Sequence, residues 1–145
     1  MQYVESHAQV LESDYTYTAR DGTCHSSSYS GVVSVTNIHE VSSNSASALK
    51  AAIEQGPVSV TVDAEQNGFM YYTGGVVSAS QCSGTSLDHA IAAVGYGTEN
   101  GQEYYIVRNS WGTSWGESGY IRIATQESGK GVCGIQQVSV WPDTN

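Results

Sequence analysis

The hydrophobic pattern changes along the first 41 residues from weakly helical to strand-like. Residues 2–12 carry apolar side chains at a spacing that favours a short helix, whereas residues 14–30 are rich in Tyr, Ser and Thr and predict a loop. Residues 31–41 carry closely spaced valines and an isoleucine, which is a strand pattern with irregularities. Little regular structure is therefore expected before the first strand.

A helix followed by a strand is the clearest local signal. Asn44 and Ser45 are typical helix-capping residues, and Gly-Pro at 56–57 ends the helix that they begin. The apolar positions between these signals fall on one helical face: Ala46, Leu49, Ala52 and Ile53. Residues 58–62 (Val-Ser-Val-Thr-Val) then alternate strictly, which predicts a half-buried strand.

The second half of the chain is predicted to be mostly β. Apolar runs separated by turn residues predict four further strands, at residues 90–96, 103–108, 119–124 and 137–141. One helix followed by a succession of antiparallel strands indicates an α+β fold with a barrel-like or sandwich sheet.

Two of these strands are predicted to form a hairpin that brings a histidine close to an asparagine. Asn100-Gly101 is a strong signal for a two-residue turn. Such a turn would place Asn109 opposite Ala92, whereas a five-residue loop over 97–101 would place it directly opposite His89. The alternatives differ by about three residues in register, and both predict that His89 and Asn109 lie close together at one end of the hairpin.

Composition narrows the classes of function. The chain has 145 residues, enough for one domain or for a large piece of a two-lobed protein. A net charge of −9 with only five Lys and Arg residues argues against nucleic-acid binding, which needs clustered cations. No apolar run reaches the roughly 18 residues of a membrane span. The first residues also lack the basic and apolar regions of a signal peptide.

The three cysteines are an odd number, which implies one thiol without a partner in this chain. Cys82 and Cys133 lie in glycine-containing, loop-like segments. A bond between them would close a loop of about 50 residues and contribute about 4 kcal/mol in the chain-entropy model. Cys24 is then left over. No Cys and His residues have metal-ligand spacing, so neither a metal nor another cofactor is predicted.

A histidine beside an asparagine has a specific chemical use. An amide oxygen that accepts a hydrogen bond from one imidazole nitrogen fixes the ring and leaves the other nitrogen free to exchange a proton with a nucleophile. Because the amide carries no full charge, such a pair suits a thiolate better than a serine hydroxyl. The plainer alternative is a core histidine satisfied by a backbone carbonyl. Asp88 beside His89 and the Trp-rich segment after Asn109 favour the catalytic interpretation.

Two tryptophans and a serine after Asn109 allow other interpretations. Trp111 and Trp115 could simply pack in a glycine-rich β segment; they could also cover the His–Asn hydrogen bond and line a substrate groove. Ser114 lies in a Gly-x-Ser-x-Gly pattern, but the hydrolase motif of that form requires a helix after the serine. Here a strand pattern follows, so Ser114 is rejected as a nucleophile.

Four segments together resemble the C-terminal part of a papain-like cysteine peptidase. They are Gly-Pro-Val-Ser-Val at 56–60, Leu-Asp-His-Ala-Ile-Ala-Ala-Val-Gly-Tyr-Gly at 87–97, the long Trp-Gly motif at 109–123 and Gly-Val-Cys-Gly-Ile at 131–135. The resemblance covers essentially the whole chain. It implies that residues 1–35 are a tail segment of a helical left lobe, and that residues 36–145 are an antiparallel β-barrel right lobe with one short helix.

The resemblance also implies roles for individual residues. His89 resembles the catalytic base and Asn109 its orienting partner. Trp111 resembles the shield over that pair, and Trp115 resembles the indole on the leaving-group side. These four side chains would form the right-lobe half of a cysteine peptidase site.

One wall of a substrate pocket is implied in the same way. It would be formed by uncharged residues: Thr61, Leu87, Ala90 and Val138. Asp88, next to the base, is grouped with them on the substrate side. Since a charged side chain would lose its water there without gaining a partner, we expect a substrate with an apolar or aromatic residue two positions before the cut.

The cysteines match the family only in part. By similarity, Cys82 and Cys133 would form a disulfide. The family's nucleophile lies in a Cys-Gly-x-Cys-Trp segment well before the histidine, preceded by an oxyanion glutamine, and neither occurs in these 145 residues. Cys24, in Gly-Thr-Cys-His-Ser, more closely resembles a disulfide cysteine whose partner lies in the left lobe.

Two hypotheses follow from the missing nucleophile. In the first, the chain is the base-bearing part of a cysteine endopeptidase, inactive alone, and a left lobe supplies Cys and Gln. It would act on a peptide or protein substrate in a lysosome or vacuole, or outside the cell. In the second, the chain is a non-catalytic papain-like domain that binds a partner or forms a homodimer through its exposed cleft face.

Overall fold

The computed structural model describes residues 2–144 and contains short helices and longer strands. Within that range the helices are α1 (Gln2–Ser6), α2 (Ala46–Ile53) and α3 (Asn67–Met70). The strands are β1 (Val35–Glu40), β2 (Val58–Val62), β3 (Val76–Val77), β4 (His89–Glu99), β5 (Gln102–Arg108), β6 (Tyr120–Ala124) and β7 (Ser139–Thr144). None of these helices has the length and apolar character needed to span a bilayer.

The chain divides into two compact units. The first comprises Met1–His39 with Pro142–Asn145, and the side chains of its residues 11–33 are all exposed. The second, Glu40–Trp141, contains the main hydrophobic core. The second unit is therefore the packed framework of the protein.

In the first unit, α1 is shorter than the helix predicted over residues 2–12. Gln9 leaves the helical path and forms an isolated antiparallel bridge with Val33. Gln9 N–H donates to Val33 O at 2.7 Å, and Val32 N–H donates to Gln9 O at 2.8 Å. A helix of one turn gains little stability from its own hydrogen bonds. The pairing of Gln9 with residues 32–33 is therefore favoured over an extension of α1.

The core of the second unit uses the helix and the strand with the clearest periodicity. α2 begins after Ser45, whose hydroxyl accepts a hydrogen bond from Ala48 N–H at 3.2 Å. Its buried face consists of the four predicted residues, Ala46, Leu49, Ala52 and Ile53. β2 buries its three valines, Val58, Val60 and Val62, and leaves the residues between them half-buried. Both predictions are confirmed.

The strands form one sheet in the order β1-β7-β2-β4-β5-β6-β3. β2 pairs antiparallel with β4 and β7, and β5 pairs antiparallel with β4 and β6. β3 runs parallel to β6, so the prediction of an all-antiparallel sheet is wrong at this edge, where a strand of two residues is too short to show any alternation. Among residues 2–144 these pairings leave the sheet open between β1 and β3, and the predicted barrel closure is not seen in them.

α3 is a second helix of the second unit, where a single one was predicted. Asn-Gly at 67–68 is typical of a turn, and the sequence around it has no helical period. Gly68 allows a close approach of chain segments, since a Cβ there would lie 2.4 Å from Gln81 O. Phe69 is fully buried beneath the turn. Tertiary packing, and not local propensity, therefore forms this helix.

The predicted disulfide is present. Cys82 and Cys133, 51 residues apart in sequence, are bonded in the core of the second unit. Cys24, in the first unit, is free and exposed. Hydrogen bonding with the side chain and backbone of Ser26 lowers the pKa of the Cys24 thiol.

Replacing both bonded cysteines (Cys82→Ala with Cys133→Ala) should lower the free energy of unfolding by about 4 kcal/mol, because the unfolded chain is then no longer closed into a loop. Urea unfolding of the wild type and the double variant measures the difference. Cys24→Ser is the control and should leave the free energy of unfolding nearly unchanged, since this thiol is exposed. A double variant as stable as the wild type would contradict the prediction.

Candidate active site

The hairpin of β4 and β5 is closed by a two-residue turn. Asn100 and Gly101 have φ values of 51° and 80°, the left-handed conformations that such a turn requires. Glu99 and Gln102 pair on either side of it. The two-residue prediction is therefore confirmed, and the alternative with a five-residue loop is wrong.

An irregularity in β4 shifts the register by one residue before the site. Gly95 pairs with Ile106, but Ala93 pairs with Val107, so that Val94 is an extra residue in β4. This is the pattern of a β-bulge. Side chains alternate between the two faces of a strand. A shift of one residue in the pairing therefore brings each side chain of β5 onto the same face as a different set of β4 side chains.

The shifted register places His89 and Asn109 on one face. Ala92 pairs with Arg108, the last residue of β5. Asn109, which follows Arg108, therefore comes opposite Ile91. His89 is two positions from Ile91 and therefore lies diagonal to Asn109 on the core side. With the unshifted register of the turn, Asn109 would have come opposite Ala92, on the other face.

The imidazole of His89 is hydrogen-bonded to the amide of Asn109. Nε2 lies 2.8 Å from Asn109 Oδ1. The same amide atom accepts the backbone N–H of Ser110 at 2.7 Å, which identifies it as the oxygen. Nε2 must then donate, so the neutral ring carries its proton on Nε2 and a lone pair on Nδ1. Among residues 2–144 no hydrogen bond engages Nδ1, which leaves it available to a further group.

Asn109 is fixed by its surroundings. It is only 8% exposed, and its backbone N–H donates to Gly119 O at 2.9 Å. Its Nδ2 is buried without a hydrogen-bond partner among the described residues, so only the oxygen of this amide orients the ring. A hydrogen bond out of contact with water is electrostatically stronger than an exposed one.

An aromatic cluster packs beside the imidazole. Trp111 stacks on His89, with ring centroids 5.0 Å apart and planes 26° from parallel. Phe69 meets both rings edge-on, at 6.2 Å from His89 and 5.6 Å from Trp111. Trp115 lies 5.4 Å from Phe69 and 5.3 Å from Trp111. The stack fixes the plane of the imidazole while Trp111 remains 40% exposed.

α3 connects this cluster to the framework. Trp115 Nε1 donates to Met70 O at 3.2 Å, at the end of the helix. Phe69 could not be identified from the sequence, because a one-turn helix has no period and no motif marks the residue. The only available signal was that Phe69 is the chain's single phenylalanine.

A charged pair holds the segment that carries Trp115. Arg122 in β6 donates from Nε to Glu117 Oε2 at 2.9 Å and from Nη2 to Glu117 Oε1 at 2.7 Å. Gly75 N–H also donates to Oε1, at 3.0 Å. These hydrogen bonds, chiefly those from the Arg122 guanidinium, lower the pKa of the Glu117 carboxyl. Glu117 thus ties the loop between Asn109 and β6 to β6 itself and to the residue before β3.

Three residues expected along the substrate pocket adjoin one another. Thr61 and Ala90 are opposite each other in the β2–β4 pair. The N–H and the hydroxyl of Thr61 both donate to Val138 O, each at 3.2 Å. Leu87 lies beside the turn that precedes Val138, since a Cβ at Gly134 would come within 2.7 Å of Leu87 Cδ2.

Asp88 is engaged differently from these neighbours. Its Oδ1 accepts Ala64 N–H at 2.8 Å, and its own backbone N–H donates to Val62 O at 3.1 Å. The carboxylate therefore attaches the residue before His89 to the end of β2.

The second unit offers no nucleophilic thiol of its own. Both of its cysteines, Cys82 and Cys133, are bonded to each other in the disulfide. Cys24 belongs to the first unit. Among the described residues, no group of three or more His, Cys, Asp or Glu side chains could hold a metal ion.

Comparison with known proteins decides the family. The model of the papain family of cysteine proteases matches residues 1–142. This chain belongs to the papain family. It is 42% identical over 132 residues to digestive cysteine proteinase 2 of Homarus americanus, a match that covers 90% of this chain and 40% of the relative. It is 46% identical over 133 residues to cysteine proteinase COT44 of Brassica napus, with 90% and 40% covered.

Solved structures show the same fold. The bromelain protease from Ananas comosus in complex with the E64 inhibitor matches with a TM-score of 0.89 at 40% identity, over 97% of this chain and 66% of that chain. The chain spans about two fifths of the length of the two curated relatives named above. The papain fold is thus established for the region that the chain shares with them.

The charged pair within the family's Trp-Gly motif generates a pH-dependent prediction. Because the pKa of Glu117 is lowered in the folded state, its contribution to stability is present above the unfolded-state pKa and is lost as the pH falls through the folded-state pKa. Glu117→Gln should lower the free energy of unfolding by about 1.5 kcal/mol at about pH 7, and the deficit should shrink toward zero at an acidic pH below the folded-state pKa of Glu117.

Urea unfolding of Glu117→Gln and wild type at both pH values measures this deficit. Glu127→Gln, which removes an exposed carboxylate from the loop after β6, is the matched control and should cost little at either pH. A deficit of the same size at both pH values would show that the ionised pair with Arg122 is not its source.

Proposed function

We propose that this chain is the base-bearing part of a papain-like cysteine endopeptidase, and that residues 36–145 are its barrel-like right lobe. The 2.8 Å hydrogen bond between His89 Nε2 and Asn109 Oδ1, which leaves Nδ1 with the lone pair, carries this proposal. Membership of the papain family supports the same reaction, the hydrolysis of a peptide bond by a thiol.

His89 would act in turn as base and acid. Nδ1 accepts the proton of a cysteine thiol, and the thiolate attacks the carbonyl carbon of the peptide bond. The imidazolium then gives this proton to the departing amine, which leaves an acyl-enzyme. In the second half, Nδ1 takes a proton from the attacking water and returns it to the sulfur as the acid product leaves. Every step uses one ring nitrogen, while the other stays bound to Asn109.

Asn109 and Trp111 would keep the imidazole oriented throughout this cycle. The amide oxygen accepts Nε2–H from the neutral ring and from the protonated ring alike, so the orientation does not depend on the charge. Trp111 would shield this hydrogen bond through its stack on His89. Trp115, which contacts both Phe69 and Trp111, would line the leaving-group side of the cleft.

The substrate would be a peptide or protein with an apolar or aromatic residue two positions before the cut. Thr61, Ala90 and Val138, which adjoin, would form one wall of its pocket together with Leu87. None of these side chains is charged, so a charged substrate group would be desolvated without a partner. The nearby carboxylate of Asp88 is already bound to a backbone N–H.

The nucleophile would come from a left lobe. Residues 1–145 contain no Cys-Gly-x-Cys-Trp segment, and we infer that a left lobe supplies both this cysteine and the oxyanion glutamine. Residues 1–35 would belong to that lobe, and the exposed Cys24 thiol would pair with a cysteine there. The chain alone would then be inactive.

An oxidising compartment would suit this arrangement. Buried disulfides persist outside the cytosol, and Cys82–Cys133 is such a bond. The Homarus americanus relative is described as digestive. We therefore propose a lysosomal, vacuolar or extracellular location for the parent protein.

Mixing this chain with a left lobe that carries the nucleophile should produce thiol-dependent cleavage of a peptide with Leu or Phe two positions before the cut. His89→Ala should lower kcat/KM by about 100-fold or more, because the base is removed. Asn109→Ala should lower it by about 10- to 100-fold, because the ring stays but loses its orientation.

Ser114→Ala is the matched control for these variants, since the exposed hydroxyl lies in the same loop and should not affect cleavage. Initial rates with a fluorogenic peptide in reducing, mildly acidic buffer provide the measurement. No cleavage by the wild-type mixture, or full cleavage by His89→Ala, would count against the proposed function.

A second candidate is a non-catalytic domain that binds a partner or itself. Apolar side chains near the site are exposed, and they include Met70, Tyr71, Trp111 and Val138. A homodimer through this face would cover them. This candidate shares the fold but would not use Nδ1 of His89.

Self-association should be detectable by light scattering. We expect the chain alone to exceed the monomer mass of 15.4 kDa as its concentration rises. Val138→Glu should return it to the monomer, because a carboxylate cannot be buried there without a partner. Glu54→Gln, at the exposed residue that follows α2, is the control. A monomer at every concentration would remove the support for a homodimer.

A further inference from the structure

Asp63 is a buried carboxylate that the proposed mechanism does not use. It follows β2 directly and is 1% exposed. One of its oxygens, Oδ2, accepts the N–H of Thr85 at 2.9 Å, the N–H of Ser86 at 3.2 Å and the Thr85 hydroxyl at 3.3 Å. Gln66 Nε2 donates to the same oxygen at 3.1 Å. Four donors therefore converge on one atom.

Such an arrangement serves a carboxylate better than a neutral group. A buried carboxylate is costly unless hydrogen bonds replace its water, and the partners of Asp63 named above are all neutral donors. Two of them are backbone N–H groups, which can donate to this oxygen only if the chain around Thr85 and Ser86 keeps its conformation. The position of residues 85–86 is thus tied to the negative charge of Asp63.

A second carboxylate binds the same two segments in the opposite direction. Asp88 Oδ1 accepts Ala64 N–H at 2.8 Å. Val62, on the other side of Asp63, pairs with His89 in the β2–β4 ladder. Residues 62–64 therefore hold the whole stretch 85–89, in which Leu87 precedes the base by two positions.

Asp63 also reaches the aromatic side of the site through Gln66. Gln66 directly precedes α3, and its carbonyl accepts Phe69 N–H at 2.9 Å. Phe69 in turn meets the His89 ring edge-on. One buried charge is thus connected to the strand entry of His89 and to the helix that packs against it.

We propose that Asp63 is a positioning residue of the peptidase site, which holds Leu87 and His89 in register and thereby sets selectivity for the substrate residue two positions before the cut. This rests on the proposed function. Asp63 itself is buried and acts through the segments that it binds, chiefly 85–89. Its loss should therefore affect the shape of the Leu87 wall more than the chemistry of a ring that Asn109 and Trp111 also hold.

Amide hydrogen exchange tests whether Asp63 holds the segment. Asp63→Asn keeps the shape but removes the charge, and Asp63→Ala removes the acceptor as well. We expect exchange at Thr85 and Ser86 to accelerate by about 10-fold in the first and by about 100-fold in the second, relative to the core amide of Val107. Glu65→Gln, an exposed carboxylate two residues away, is the control and should leave both amides unchanged.

Equal protection of Thr85 and Ser86 in all variants would overturn the proposal. If Asp63→Ala fails to fold, Thr85→Val provides the measurement, because it removes only the hydroxyl donor. Ser86 exchange should then rise by about twofold or more, as expected for one lost neutral hydrogen bond. An unchanged rate would overturn the proposal equally.

Substrate selectivity separates positioning from a purely structural role. In the enzyme assembled with its left lobe, we expect the ratio of kcat/KM for Leu over Ala at the position two before the cut to fall by about 5-fold in Asp63→Asn, the size of a partly lost apolar contact. This ratio does not depend on the amount of folded enzyme. A faster exchange with an unchanged ratio would overturn the positioning role alone, whereas an inactive wild type would overturn the proposed function.

Discussion

The extra residue Val94 in β4 determines which side chains can meet at the end of the hairpin. On the turn side of it, the register set by Asn100-Gly101 continues without change. Beyond it, each residue of β4 faces a partner one position earlier in the chain than the turn register would give. His89 and Asn109 share the core face only because of this shift, since the turn register would direct Asn109 to the opposite face. The 2.8 Å hydrogen bond depends on that choice of face.

The same shift aligns the site with the hydrophobic core. Ile91 and Ala93 in β4 and Val107 in β5 are buried on the face that carries His89 and Asn109. The polar pair is therefore the last layer of the core, at the rim where the strands end. Its surroundings are aromatic instead of aqueous, and this explains how an uncharged amide can fix the imidazole. The buried core residues and the His89–Asn109 pair therefore lie on one continuous face of the sheet.

The sequence predicted the elements whose signals are local. α2 was predicted from its caps and its apolar face, β2 from its alternation and the hairpin turn from Asn-Gly. The proximity of His89 to Asn109 followed from the turn, but their common face did not. A β-bulge has no sequence signature of its own here, because Val94 is as apolar as its neighbours. α3 and β3 were also beyond prediction, since elements of four and two residues show no period.

Among residues 2–144, the contacts found to orient the imidazole lie within the second unit. They come from β2 through Val62, from α3 through Phe69, and from the segment after β5 through Asn109 and Trp111. None of them requires the nucleophile. In the proposed reaction the imidazole would therefore be preorganised before a thiol approaches Nδ1, and the proton transfer would need no reorganisation of the ring. In the proposed two-lobed peptidase, the orientation of the imidazole would therefore not depend on the position of the other lobe.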